Sequence, residues 1–305
     1  QEGQVWYNTT STVLKGFGAQ GTAAWASGGN LNLARTSGFS FGIQTAAIFA
    51  SGYGPASTNV LNCESYDGSS WTEVNDVNNA YRESGGSFGT STAGVKGGGR
   101  PGAPPLGQSE TWDGTCWTTA ADMTQTKTDS GSGCGVETAG IVFGGTGSDT
   151  NSQEFDGTSW TNGGVLNTGR DSVGRGGVTV PATLCSGGNP PVSTALCESY
   201  NGTAWTEVNN ITTGRHKAAG GGPAAGGALL MGGTPGYMTS VESWDGTSWT
   251  AAAVLATGRY GSGAGSNSPG TTNIVFGGDL PGSPGFSNAT EEWTIPNETK
   301  TFTAS

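Results

Sequence analysis

ESYDGSSW, from Glu64 to Trp71, returns four more times along the chain: ETWDGTCW at 110–117, QEFDGTSW at 153–160, ESYNGTAW at 198–205 and ESWDGTSW at 242–249. The closing residues Trp71, Trp117, Trp160, Trp205 and Trp249 recur every 43 to 46 residues, and Trp25, in GTAAWASGG, stands one period before Trp71 with a degenerate lead-in. A period of about 40 to 50 residues is the signature of propeller blades, because each repeat is one small sheet that buries its faces only against its neighbours.

Ten or eleven residues after each tryptophan comes a basic residue: Arg35, Arg82, Lys127, Arg170, Arg215 and Arg259, half of the twelve Lys and Arg. Next come a Gly- and Ala-rich stretch and an apolar run closing in glycine, as in AGIVFGG to Gly145 or TNIVFGG to Gly278. The second unit departs, reading AGVKGGG to Gly99. Each unit thus holds four short strands. The Asp-Gly or Asn-Gly between the third and fourth predicts a type I′ hairpin turn, which needs positive φ at both central residues. The small first strand suits the crowding next to a propeller axis.

Five units are complete, and a sixth begins at Arg259 and stops at Glu292-Trp293 without a fourth strand. Trp25 offers a fourth strand without a blade. The expected fold is therefore all-β, a β-propeller of six four-stranded blades over 21–294, closed by strand exchange between the termini, which removes two open sheet edges. Residues 1–20, with VWYNTT and STVLKGF, read as an extra hairpin and attachment segment, with a seventh, incomplete blade as the alternative; 295–305 reads as a tail. The chain starts at Gln1, which reads as a processed product or a piece of a longer polypeptide.

Composition narrows the function. Glycine supplies 57 of 305 residues without a three-residue period, so collagen is out. Ten Trp and ten Phe argue against disorder. A net charge of −11 opposes a nucleic-acid partner. No run approaches the roughly 18 apolar residues of a membrane span, so no membrane insertion is expected. The five cysteines lack CxxC spacing and read as small buried residues; Cys185 and Cys197, on neighbouring strands, are left as a pair that geometry must decide.

The order apolar run, Gly-Gly, Glu-x-aromatic, Trp, Arg resembles the kelch repeat over residues 21–294, departing in the short aromatic-to-Trp turn from Tyr66 to Trp71. A narrower similarity is to repeat proteins of bacteriophage virions, particularly marine ones, carried by Trp6–Ser11, Asp245–Trp249, the Leu-Asn-x-x-Arg stretches Leu31–Arg35 and Leu166–Arg170, and Val275–Gly278. That similarity implies a fibre, tail or decoration component. Fold alone does not fix function.

Catalytic chemistry is hard to find. A galactose-oxidase-like copper site needs two histidines, and the chain has His216 alone, which reads as a strand residue. SYDGSSW, 65–71, comes within one residue of a sialidase Asp-box, a turn motif; the acids repeat evenly and show no asymmetric carboxylate pair. No catalytic residue, metal or cofactor is therefore assigned.

The basic column has two readings. Each cation pairs with the repeat's glutamate (Glu64, Glu110, Glu154, Glu198, Glu242, Glu291), or the six form a ring at the channel mouth that holds an anion or acidic sugar. Trp25, Trp71, Trp117, Trp160, Trp205 and Trp249 read as packing between blades rather than as sugar platforms. The turns after Gly-Gly vary while the frame stays constant and are the candidate ligand surface: those from Gly52, Gly99, Thr146, Asn189, Thr234 and Asp279.

The expectation is a non-enzymatic structural or adhesin propeller on a virion or outside a cell, its partners a host surface glycan or other virion proteins, in homo-oligomeric or multi-copy display. The alternatives are a secreted or cell-surface bacterial carbohydrate-binding lectin and, further off, a sialidase-like or other glycan-active enzyme.

Overall fold

A computed structural model describes residues 5–10, 13–19, 21–55, 58–80, 83–100, 106–128, 132–189, 191–282 and 285–302. It is all-β, with six four-stranded antiparallel sheets arranged as a six-bladed propeller. We letter the strands of a blade a to d from the axis outward. Blade 1 is Phe39–Ile43, Ala46–Ala50, Cys63–Tyr66 and Trp71–Val74; blade 2 is Glu83–Thr90, Ala93–Arg100, Ser109–Trp112 and Trp117–Thr119; blade 3 is Gly133–Val136, Ala139–Phe143, Ser152–Phe155 and Trp160–Asn162. Blade 4 is Gly174–Thr179, Ala182–Ser186, Cys197–Tyr200 and Trp205–Val208, and blade 5 is Ala219–Gly221, Leu229–Met231, Val241–Trp244 and Trp249–Ala252.

Blade 6 is composite. Gly263–Ala264, Thr272–Phe276 and Thr290–Thr294 are completed by Ala24–Ser27, with Trp293 opposite Trp25, so the two ends of the ring share one sheet. A second sheet joins Val5–Asn8, Val13–Ala19 and Asn297–Phe302, so the segment read as a tail pairs with the N-terminal hairpin. The connectivity places this sheet where blade 6 lacks a c–d turn, at the end of the ring opposite the loops that follow Gly-Gly.

Blades meet through aromatic contacts that repeat around the ring. Trp71 lies 4.6 Å from the Phe276 ring of blade 6, Trp117 6.1 Å from Phe41 of blade 1, Trp160 6.1 Å from Phe88 of blade 2 and Trp205 5.0 Å from Phe143 of blade 3. Trp249 packs in a cluster with Leu184 of blade 4. These five are buried. Each such ring contributes about 4 to 6 kcal/mol of apolar burial as an upper bound, enough to make this column the main cohesion between sheets. Trp25 occupies the same column but is only partly buried, against Trp293 at 5.4 Å, with its indole N–H on the Ala253 carbonyl at 2.8 Å. Its strand is entered from the N-terminal hairpin rather than from an Asp-Gly turn, so no tight loop covers the ring.

The c–d turns are not the two-residue type I′ hairpins expected. Tyr66 pairs with Trp71, leaving four residues in the loop, and of Asp67 and Gly68 only Gly68 has positive φ, at 93°. The aspartate acts through its side chain: Asp67 Oδ1 accepts the N–H groups of Ser69 and Ser70, both at 2.8 Å. Asp113, Asp156 and Asp245 repeat this, and Asn201 does it with an amide oxygen.

These backbone hydrogen bonds hold the four carboxyls below the usual aspartate range. A depressed folded-state pKa contributes stability above the unfolded value near about 3.9 and loses it as pH falls through the folded one. The urea midpoint of the wild-type chain is thus expected to fall steeply below about pH 4, and a variant with all four changed to Asn, as at 201, to show a shallower decline. Parallel declines would assign acid sensitivity elsewhere.

All five cysteines are free; Cys63, Cys134, Cys185 and Cys197 are buried, whereas Cys116, in the blade 2 turn, is exposed, contrary to the expectation of five buried thiols. Cys185 stands opposite Glu198, one position out of register with Cys197.

Candidate functional site

The basic column is consumed by the frame wherever it is described. Arg35 pairs with Glu64, Arg170 with Glu198 at 2.9 Å, Arg215 with Glu242 at 2.7 Å and Arg259 with Glu291 at 2.8 Å, all with buried side chains. Arg215 shows the fuller pattern: three further N–H groups go to the carbonyls of Thr213, Gly232 and Ser240, while the second oxygen of Glu242 accepts the Thr212 N–H at 2.7 Å. One ion pair thereby ties the b–c loop to the segment entering the blade. The main chain of the same column ties blade to blade, since Gly188 N–H donates to the Arg215 carbonyl at 2.8 Å. This explains the Gly-Gly: a Cβ on Gly187, at φ 65°, would stand 2.3 Å from that carbonyl oxygen.

Blade 3 departs in both partners. The glutamate column there is Gln153, opposite Val142 as Glu198 is opposite Cys185, and not Glu154, the expected partner of the basic residue. Gln153 Oε1 accepts the Gln125 N–H at 3.2 Å, and Lys127 pairs with Asp149 of the loop instead. Glu154, one place on, takes the hydroxyl of Tyr200 from the next blade at 2.5 Å, just as Glu292 takes that of Tyr66. In blade 2, Arg82 lies outside the described residues, and Lys96 on strand b pairs with Glu110 at 2.5 Å.

The axis is closed by a residue that the sequence reading missed. One column of strand a faces the axis: Ser40, Ser87, Gly133, Arg175, Gly220 and Ala264, identified by their partners Phe49, Lys96, Val142, Cys185, Leu230 and Val275. Five are small and the sixth is an arginine. Arg175 spends all five N–H groups on other blades: Nη2 on the Ser40 carbonyl and hydroxyl at 2.7 and 3.0 Å, Nη1 on the Ser87 and Gly133 carbonyls at 2.7 and 3.1 Å, and Nε on the Gly220 carbonyl at 3.2 Å. Burial lowers its pKa to about 10, which leaves it cationic at neutral pH. The signal was present in sequence, as one Arg in a column of Ser, Gly and Ala, and becomes visible once strand a is aligned.

The face bearing the Gly-Gly loops is built by a pair of residues per blade, the one after the basic column and the one after the glycines. Each pair is joined by backbone hydrogen bonds: Thr36 with Tyr53, Thr128 with Thr146, Asp171 with Asn189, His216 with Thr234, and Tyr260 with Asp279. One residue further on, Ser37 N–H donates to Gly261, Gly261 to Lys217 and Lys217 to Ser172, part of a girdle about the channel mouth.

Among the described residues, the aromatic side chains of this face are in blades 5, 6 and 1. Tyr237 stacks on Tyr260 at 5.2 Å and 26°, Tyr260 donates its hydroxyl to Asp279 at 2.5 Å, Asp279 bridges to Phe286, and Phe286 meets Tyr53 edge-on at 5.8 Å. His216 lies beside them, its Nδ1 2.8 Å from Ser193 Oγ; burial, then the Lys217 charge, push its pKa down. The loops of blades 3 and 4 carry Ser148, Asp149 and Val192 here. Among the described residues no group of three or more His, Cys, Asp or Glu is placed to hold a metal ion.

No known family model matches this chain, and no curated protein sequence matches it. The class is set by the sheets themselves: a six-bladed β-propeller repeat protein, with a symmetric frame and one asymmetric face.

Proposed function

We propose that this chain is a non-enzymatic recognition module displayed on a virus particle, binding host surface glycan through the loops that follow Gly-Gly in blades 5, 6 and 1. The observation that carries the glycan reading is the arc Tyr237, Tyr260, Phe286, Tyr53, which breaks the six-fold repetition on the face where specificity resides. Tyrosines suit this role because each offers a rigid apolar ring for a sugar face and a polar tip for its hydroxyls. The frame's cations are ion-paired, so the arc, not the basic column, supplies the contact chemistry.

Display on a virion rests on the likeness to kelch-like repeat proteins of bacteriophage particles. It is supported by the open strand Val5–Asn8 at the opposite end, where Val5, Trp6 and Tyr7 are 60%, 40% and 58% exposed, an apolar edge suited to attachment.

The test is binding of the labelled chain to candidate host cells and a glycan array, with cells stripped of surface polysaccharide as control. Saturable binding lost on stripping is expected, weakened at least about tenfold by Tyr237→Ala, as for an aromatic hot spot, and unchanged by Trp6→Glu at the other end. No binding to any cell or glycan would leave only a structural role on the particle.

A further inference from the structure

Lys217 stands apart from the cations of the frame. It is exposed, and among the described residues no carboxylate lies within ion-pair distance of its ammonium. Its backbone sits in the left-handed region at φ 54°, which side-chain-bearing residues seldom adopt. The girdle enforces it: Lys217 N–H donates to Ser172 O at 2.8 Å and Lys217 O accepts from Gly261 N–H at 2.9 Å. The equivalent places in blades 1, 4 and 6 are Ser37 at φ 56°, Ser172 at φ 54° and Gly261 at φ 63°, so the frame sets this conformation, and of these four blades only blade 5 carries a cation there. The ammonium lies over the Tyr260 ring, 5.9 Å from its centroid, and Tyr260 is also the ring on which Tyr237 stacks.

Resting on the glycan reading above, we infer that the Tyr237–Tyr260–Lys217 patch takes a sugar that bears a carboxylate, a hexuronate residue of an acidic polysaccharide, with the pyranose face on Tyr237 and the carboxylate on Lys217. Asp279 of the same face accepts the Tyr260 hydroxyl at 2.5 Å and forms no ion pair with Lys217 among the described residues. His216, its pKa lowered, is neutral at physiological pH and offers hydrogen bonding rather than charge. The net charge of −11 does not forbid an anion, since exposed charges beyond about 8 Å are largely screened at physiological ionic strength while the Lys217 contact is direct.

The probes are oligogalacturonate and its methyl ester, which share a backbone and differ in charge, titrated against the wild-type chain, Lys217→Gly, Lys217→Arg and Tyr237→Ala. The wild-type chain is expected to prefer the acid at least about tenfold. Lys217→Gly, which copies blade 6 and keeps the fold, should abolish the preference without weakening the ester; Lys217→Arg should keep it, and Tyr237→Ala should weaken both. Equal binding of acid and ester, or a preference that survives Lys217→Gly, overturns the inference. Glycans bound on the array with neither probe among them overturns it while leaving glycan recognition standing; no glycan bound at all removes both.

Discussion

Arg175→Ala is expected to destabilise the propeller by about 3 kcal/mol, read as a drop in the urea midpoint and a fall in Tm of roughly 6 to 12 °C. The side chain joins blade 4 to the carbonyls of blades 1, 2, 3 and 5 through five hydrogen bonds. Hydrogen bonds from a charged donor contribute about 1.5 to 3 kcal/mol each, but not additively, and desolvating the guanidinium costs several kcal/mol in return. What tips the balance is the state after truncation: the carbonyls of Ser87, Gly133 and Gly220 lose the guanidinium donor, that of Ser40 keeps only the Ser87 hydroxyl, and a void opens on the axis. Arg175→Met separates the two contributions. It fills the space without donating and should fall between wild type and alanine; a Met variant as stable as wild type would reduce Arg175 to a space filler.

Glu64→Ala should cost more, about 3 to 5 kcal/mol, the range for removing one partner of a buried ion pair. Arg35 is buried, and its guanidinium would keep only the carbonyls of Leu33, Phe49 and Ser51. The Asn32 N–H, 2.7 Å from Glu64 Oε2, would lose its acceptor too. Removing both charges in Arg35→Met with Glu64→Leu should recover part of the loss, because an apolar pair avoids the desolvation that the ion pair offsets. A double-mutant cycle on chemical denaturation checks this; additive effects would mean the two side chains act independently. Blade 3 is the natural precedent that the pairing can be rebuilt, with Gln153 in the glutamate's place and Lys127 turned to Asp149.

Glu154 is the glutamate of its repeat, yet counting back seven residues from Trp160 puts Gln153 in the column of Glu64, and strand register confirms it, a one-residue shift being enough to send a side chain to the other face. Asp-Gly signalled a hairpin correctly, but the number of loop residues depends on where pairing resumes, which here is at Trp71.

By itself the sequence determined what is periodic: six four-stranded blades, the shared sixth sheet and the tryptophan packing. These recur at fixed spacing because each blade solves the same burial problem against its neighbour. Only the tertiary structure decided what is asymmetric. Arg175 closes the axis, Lys217 is held over Tyr260, and Tyr53, Tyr237, Tyr260 and Phe286 meet on one face although they lie as far apart in the chain as residues 53 and 286. Such contacts follow from closure of the ring, which brings the first and last blades together, and a linear pattern does not encode that proximity until the ring is closed.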